Sequence, residues 1–174
     1  MIRKATEQDI EAIARIYEDI HTQNERGILT TGWARGIYPT RETAVTGVNR
    51  GDAFVMEEAG RVVACARING EQDAAWQGAA WSTAPSPDEV LVLHTLVVAP
   101  EEAGKGYGKA FVAFYEDYAR SHGCRHLRMD TNERNRGARA LYAKLGYREC
   151  GIVTCVFNNI PDVHLVCLEK ILED

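Results

Sequence analysis

Three things are scarce in this sequence, and each scarcity removes a class of answer. No apolar run approaches the roughly 20 residues that a membrane-crossing helix needs, so no membrane is expected. Positive charge is in deficit: 20 Lys and Arg against 25 Asp and Glu leave a formal net charge of −5, which argues against nucleic acid as the main partner. Cysteine is neither abundant nor patterned. The five cysteines, Cys65, Cys124, Cys150, Cys155 and Cys167, are odd in number and include no C-x-x-C pair. Several lie inside apolar runs, so buried free thiols in a reducing compartment are expected. His94, His122, His126 and His164 do not fall at ligand spacing with them, and no metal is expected. The opening M-I-R-K-A-T-E-Q-D-I carries acids early and no secretion-signal apolar stretch. With no repeat, low-complexity tract or linker, a single cytoplasmic domain over residues 1–174 is expected.

What is present centres on one stretch. Val90 to Val98 is a continuous apolar, β-branched run that predicts a buried strand, closed by Pro100, which cannot donate to a ladder. Ala103-Gly104-Lys105-Gly106-Tyr107-Gly108-Lys109 follows, and then Phe111, Val112, Phe114, Tyr115 and Tyr118 recur at helical spacing until Gly123. A strand, a glycine loop and a helix start form a place for an anion: glycine lets the backbone approach, and the first helical amides present free N–H groups. Two well-known phosphate loops fail the test of spacing. Gly108-Lys109 is followed by Ala110 and preceded by Ala103 where a Walker loop needs Ser or Thr and Gly. Lys109 or Phe111 stands where the third glycine of a dinucleotide fingerprint belongs.

The loop does resemble the acetyl-CoA loop of the GCN5-related N-acetyltransferases, [QR]-x-x-G-x-[GA], at Ala103 to Gly108, except that Ala103 replaces the usual Arg or Gln. A second stretch, Asn135-Arg136-Gly137-Ala138-Arg139-Ala140-Leu141-Tyr142-Ala143-Lys144-Leu145-Gly146-Tyr147, is similar to that family's N-x-x-A-x-x-L-Y-x-K-L-G-[FY] at every signature position. The two occur in the family's order, and the resemblance covers essentially the whole chain.

The rest of the pattern agrees with that family. Met1 to Lys4 reads as a strand, Thr6 as the cap of an amphipathic helix ending near Gly27, and Thr40 as the cap of a short helix stopped by Gly51. Asp52 to Glu58 and Arg61 to Asn69 predict a hairpin around Ala59-Gly60. Glu71 to Asp88 reads as a long loop, functional or mobile. Arg125 to Asp130 predicts a strand, and Tyr147 to Phe157 with Val163 to Leu168 a closing pair, with Asn158-Asn159 and Pro161-Asp162 as turn residues. The order β-α-α-β-β-β-α-β-α-β-β gives a mixed α/β sheet flanked by helices, and the resemblance implies that family's form of it, a mostly antiparallel sheet with one splayed parallel pair.

The resemblance implies an acetyl-CoA-dependent N-acetyltransferase acting on a primary amine of a small molecule or peptide. A non-catalytic acyl-CoA-binding regulatory module on the same fold is the alternative. It also leaves room for a homodimer, for which no residue pattern argues. By the resemblance, main-chain groups of Leu96, Val97 and Val98 hold the pantetheine arm. Ala103, Gly104, Lys105, Gly106, Tyr107, Gly108 and Lys109 hold the pyrophosphate, and Asn135 caps its helix or meets the cofactor. Tyr142 matches the family tyrosine that protonates the leaving sulfur, or else packs on pantetheine. His94 stands where many members carry a base. An imidazole near its ordinary value of ~6.5 suits that role, and its alternation with Val92 and Leu96 places all three on one sheet face; a hydrogen-bonded core histidine is the equal alternative. Trp33 and Tyr38 are candidate walls of the acceptor site, with core packing as the alternative, and Trp76 and Trp81 candidate covers of its cleft, with surface packing as the alternative. Arg134, Arg136, Arg139 and Lys144 form a basic helix face within reach of the CoA 3′-phosphate, or a solvated one.

Overall fold

The computed structural model describes residues 1–173. Seven strands form one sheet: β1 (Ile2–Lys4), β2 (Ala53–Glu58), β3 (Arg61–Asn69), β4 (Val90–Val98), β5 (His126–Asn132), β6 (Arg148–Phe157) and β7 (Ile160–Ile171). Their spatial order is β1-β2-β3-β4-β5-β7-β6, antiparallel throughout except for β4 and β5. Four helices cover it: α1 (Ile10–Glu25), α2 (Arg41–Arg50), α3 (Tyr107–Ser121) and α4 (Arg136–Lys144).

Local chemistry accounts for the boundaries. Thr6 and Asp9 form a reciprocal capping box that leads into α1, and Thr40 does the same with Thr43 for α2. Gly51 ends α2 in the left-handed region, where glycine has no Cβ penalty. Hairpins at Ala59-Gly60 and Asn158-Asn159 both have two consecutive positive-φ residues, the backbone of a type I′ turn. The second hairpin corrects one expectation. Pro161 and Asp162 are not turn residues but lie in β7, where two residues oppose Val156 alone in a bulge, and Asp162 takes positive φ.

Two apolar layers sandwich the sheet. On one face Phe111, Val112, Tyr115 and Ala119 of α3 pack with Tyr142 of α4 against Phe54, Leu91, Leu93, Leu127 and Met129. On the other, Ile13, Ile16, Tyr17 and Ile20 of α1 and Ala44 of α2 pack against Val55, Cys65 and Val97. Farther along that face Trp76, from the long loop, buries against Val90, Val92, Val153 and Leu165. Completely buried Phe111, Tyr115, Ile13, Leu127 and Met129 each contribute on the order of 1.5–3 kcal/mol of hydrophobic stabilisation.

Two irregularities of β4 shape the site. Its ladder with β5 runs only through Val90–His126, Leu91–Leu127 and Val92–Arg128. Beyond Val92 the two strands part, as the resemblance implied. In addition, Cys65 pairs with Val97 while Arg67 pairs with His94, so Thr95 and Leu96 oppose Ala66 alone. Thr95 takes φ +53° in this bulge. The extra residue reverses the facing of everything after it. Leu91 and Leu93 face α3, and so do Leu96 and Val98 rather than their odd-numbered neighbours. His94 therefore shares a face with Val92 but not with Leu96, contrary to simple alternation.

Candidate active site

The end of β4 delivers the chain to a loop built for close approach. Gly104 and Gly106 have φ of +81° and +83°, and a Cβ at either would meet nothing within 4 Å. Gly106 is the N-cap of α3 and no side chain caps it; the first amide to bond back into the helix is that of Ala110, to Gly106. The amides of Tyr107, Gly108 and Lys109 thus form the free positive end of a 15-residue helix. Gly108 differs from Gly104 and Gly106: its φ is ordinary, and a Cβ there would lie 3.4 Å from the Leu141 side chain, in plain contact between α3 and α4. Lys105 does not extend over the loop: its ammonium sits 2.6 Å from Glu102, a buried carboxylate that also takes Arg61 at 3.0 Å.

A cavity of about 530 Å³ opens where β4 and β5 part. Leu96, Val97, Asn135 and Tyr142 line it, as do Trp33 and Tyr38 from the segment between α1 and α2. Tyr142 is 7% exposed, and burial, with Asp130 nearby, raises its phenol well above the ordinary value. It stays protonated at any physiological pH. Asn135 caps α4 by accepting from the Ala138 amide at 3.2 Å while also lining the cavity. Tyr38 bonds its hydroxyl to that of Thr95 at the bulge and meets Trp33 and Phe157 edge to face, at 5.9 and 5.1 Å between centroids.

His94 lines the same cavity within a polar chain. Asn69 donates its amide to Asp52 at 2.7 Å, which fixes its Oδ1 as an acceptor; His94 Nε2 then donates to that oxygen at 2.8 Å. Its lone pair is on Nδ1. Burial, with the Arg67 guanidinium nearby, pushes this imidazole down to about 4. The expected value near 6.5 is therefore corrected: His94 is neutral at physiological pH and a weak base.

The residue that pattern reading missed stands opposite. Val92 and Arg128 form the last pair, so His94 and Asp130 occupy the next same-face positions on the two diverging strands. Asp130 Oδ2 accepts the Trp76 indole N–H at 2.9 Å, and burial, with Asp73 nearby, raises its carboxyl to about 6. The sequence signal was slight: Asp130 is an acid in a strand, H-L-R-M-D-T-N, whose Leu127 and Met129 are fully buried.

The sequence matches the model of the acetyltransferase (GNAT) family over residues 10–147. The chain belongs to the GNAT acetyltransferase family. It is 32% identical over 94 residues to the uncharacterized N-acetyltransferase YhfO of Bacillus subtilis (strain 168), across 54% of this chain and 63% of that protein. It is 30% identical over 67 residues to the streptothricin acetyltransferase of Streptomyces lavendulae, across 38% of this chain and 35% of that one. The match thus spans less than two thirds of either relative. Among solved structures, a GNAT-family acetyltransferase from Streptococcus agalactiae 2603 superposes with a TM-score of 0.82 at 22% identity, covering 100% of this chain and 96% of that one. The ribosomal-protein-alanine N-acetyltransferase from Brucella melitensis gives 0.72 at 23% identity, covering 99% of each. At such identities the likeness is one of fold.

Within this GNAT fold the expected site residues divide. Leu96, Val97, Asn135, Tyr142, His94, Trp33 and Tyr38 converge on the cavity, whereas Val98 and the glycine loop lie next to it at the head of α3. Trp81 does not line it. Its ring lies under the Arg128 guanidinium at 4.2 Å and its N–H donates to the Trp76 carbonyl at 3.0 Å. Of the two loop tryptophans, Trp76 is the one that lines the cavity. Arg139 is also withdrawn from the basic face, held by both oxygens of Glu149 at 2.7 and 2.9 Å. Among the described residues, no helix is long and apolar enough to cross a membrane.

Proposed function

We propose that this GNAT protein is an acetyl-CoA-dependent N-acetyltransferase that passes an acetyl group to a primary amine of a small molecule or peptide, by direct attack in a ternary complex. One observation carries the reading: the cavity at the β4–β5 parting holds a protonated phenol and an unpaired carboxylate together, beside an anion-ready helix start. The relatives named as acetyltransferases support the same class.

The residues suit acetyl-CoA. The unpaired edge of β4 beyond Val92 offers main-chain groups of Leu96, Val97 and Val98 to the amides of pantetheine, as an added strand would use them. The left-handed Gly104 and Gly106 and the free amides of Tyr107, Gly108 and Lys109 suit a pyrophosphate, with the exposed Lys109 beside them and Ala103 contributing backbone alone. When bound, acetyl-CoA supplies a thioester whose acyl carbon an amine attacks.

Tyr142 stays a phenol and hydrogen-bonds the departing sulfur as the carbon–sulfur bond breaks, passing its proton to the thiolate (ordinary pKa ~8.5) only as the amine's proton, taken up by Asp130, restores the phenol. Asp130, with Oδ2 fixed by Trp76, receives the amine's proton on its remaining valence as the carbon–nitrogen bond forms. Its raised carboxyl, about 6, is ionised at neutral pH yet basic enough to share a proton. His94 supports the acceptor side as a neutral hydrogen-bonding group. The test is calorimetric titration with acetyl-CoA followed by thiol release over an amine panel. Binding with turnover of an amine is expected. Binding without turnover of any would favour a regulatory acyl-CoA module, and no binding would overturn both.

A further inference from the structure

We propose that the acceptor is a diamine, a small dication with no carboxylate of its own. This rests on the N-acetyltransferase reading and names its substrate class. Four charged side chains line the cavity: Arg67, Glu71, Asp73 and Asp130. Two of them are already neutralised. Arg67 grips Asp52 with Nη2 at 3.1 Å and Nε at 3.3 Å, and Glu71 takes Arg50 at 2.9 Å. The other two are not. Asp73 accepts only the Ala75 amide and Asp130 only the Trp76 indole, and among the described residues neither has a cation within ion-pair distance. The cavity therefore holds two uncompensated carboxylates and no uncompensated cation, since His94 is neutral.

Their placement sets the ligand's shape. Asp130 lies deep, at the parting of the strands, and Asp73 is at the exposed rim. The charge of Asp73 is felt at Asp130, and a dication between them relieves that repulsion. Trp33, Tyr38 and Phe157, which line the same cavity and meet edge to face, present aromatic surface for a methylene chain. The Tyr142 hydroxyl, on a side chain 7% exposed, has no hydrogen-bond partner among the described residues and opens into the same space, where the reacting amine must end. An α-amino acid would bring its carboxylate to two others, with the one guanidinium already taken.

The titratable groups around Asp130 are Asp73 on the loop, His94 on β4, Tyr38 before α2, Tyr142 on α4, Cys155 on β6 and Cys167 on β7. Near pH 6 Asp130 is about half-ionised. A bound dication favours its ionised form and so expels up to about half a proton there.

The experiment is calorimetric titration of the full chain, loaded with CoA, with 1,5-diaminopentane, 1-aminopentane and lysine. The diamine is expected to bind at least tenfold more tightly than either of the others. Asp73→Asn keeps the Ala75 cap and should bring diamine and monoamine to within about threefold. In buffers of different ionisation heat at pH 6, the diamine should release a proton fraction that Asp130→Asn abolishes. Equal binding of the monoamine, tighter binding of lysine, or no binding of any probe overturns the proposal. Acetyl-CoA affinity measured on the CoA-free chain separates this failure from failure of the acetyltransferase reading.

Discussion

On the α3 side of the β4–β5 parting the site consists of backbone: open glycines, free amides and an unpaired strand edge. On the other side it consists of side chains that hold one another, through Trp76 to Asp130, Asn69 to His94 and Tyr38 to Thr95. The donor side can thus recognise an anion whatever the surrounding side chains are, because the recognition is main-chain geometry. The acceptor side depends on each partner in its chain, and small substitutions there should change chemistry without changing cofactor binding.

The largest effect should come from breaking the donor side. Gly106→Glu places a carboxylate where the free amides point and forces a non-glycine residue to φ +83°. Acetyl-CoA affinity should fall by at least 100-fold in calorimetry. Stability should fall by only about 1 kcal/mol, the left-handed penalty, because a Cβ there meets no neighbour. Undiminished binding would remove the loop from the site.

Tyr142→Phe tests where the two sides meet. The hydroxyl makes no hydrogen bond that holds the fold, so the variant should fold normally and keep its acetyl-CoA affinity while kcat falls by about 10²-fold. An unchanged kcat would reduce Tyr142 to a packing role.

The difference between the two sides also explains what pattern reading recovered. The element order and the glycine loop depend on local signals, a β-branched run, a proline and glycines at fixed offsets, and were legible, whereas the parting of β4 and β5 followed only from the family resemblance. The acceptor side was not, because its logic is tertiary. A single bulge at Thr95 turns Leu96 away from the His94 face, and nothing in V-L-V-L-H-T-L-V-V announces it. Trp76 and Trp81 are five residues apart in a loop without periodicity, and only Arg128 and Asp130, brought alongside by β5, decide which of them meets the cavity.

The pH profile sharpens the assignment within the acceptor side. A base must be deprotonated to work, so activity should rise with pH through its value and then level off. If Asp130 is that base, the rise is centred near 6; a base at His94 would place it near 4. His94→Ala should leave the limb in place, and Asp130→Asn should remove it along with most of kcat. Asp130 also has a folded value above its unfolded one near 3.9. The native state then binds the extra proton, and stability should rise as pH falls from about 6 toward 4. A limb near 6 that His94→Ala abolishes would return the role to the imidazole.

The smallest expected effect lies back on the donor side. Ala103 leaves the loop without the guanidinium or amide common in the family, and it is exposed at the end of the Pro100–Glu102 turn. The carboxylate nearest in sequence, Glu102, is buried and already engaged by Arg61 and Lys105, so an arginine at 103 would not be captured there. Ala103→Arg should therefore tighten acetyl-CoA binding, but only about threefold to fivefold, the scale of one exposed charge–charge contact of under 1 kcal/mol. The gain should shrink between 50 mM and 300 mM salt, as screening of exposed charges requires. A gain beyond about 30-fold would mean that the backbone amides carry less of the recognition than their geometry implies, and that the contrast between a main-chain donor side and a side-chain acceptor side is weaker than the fold suggests.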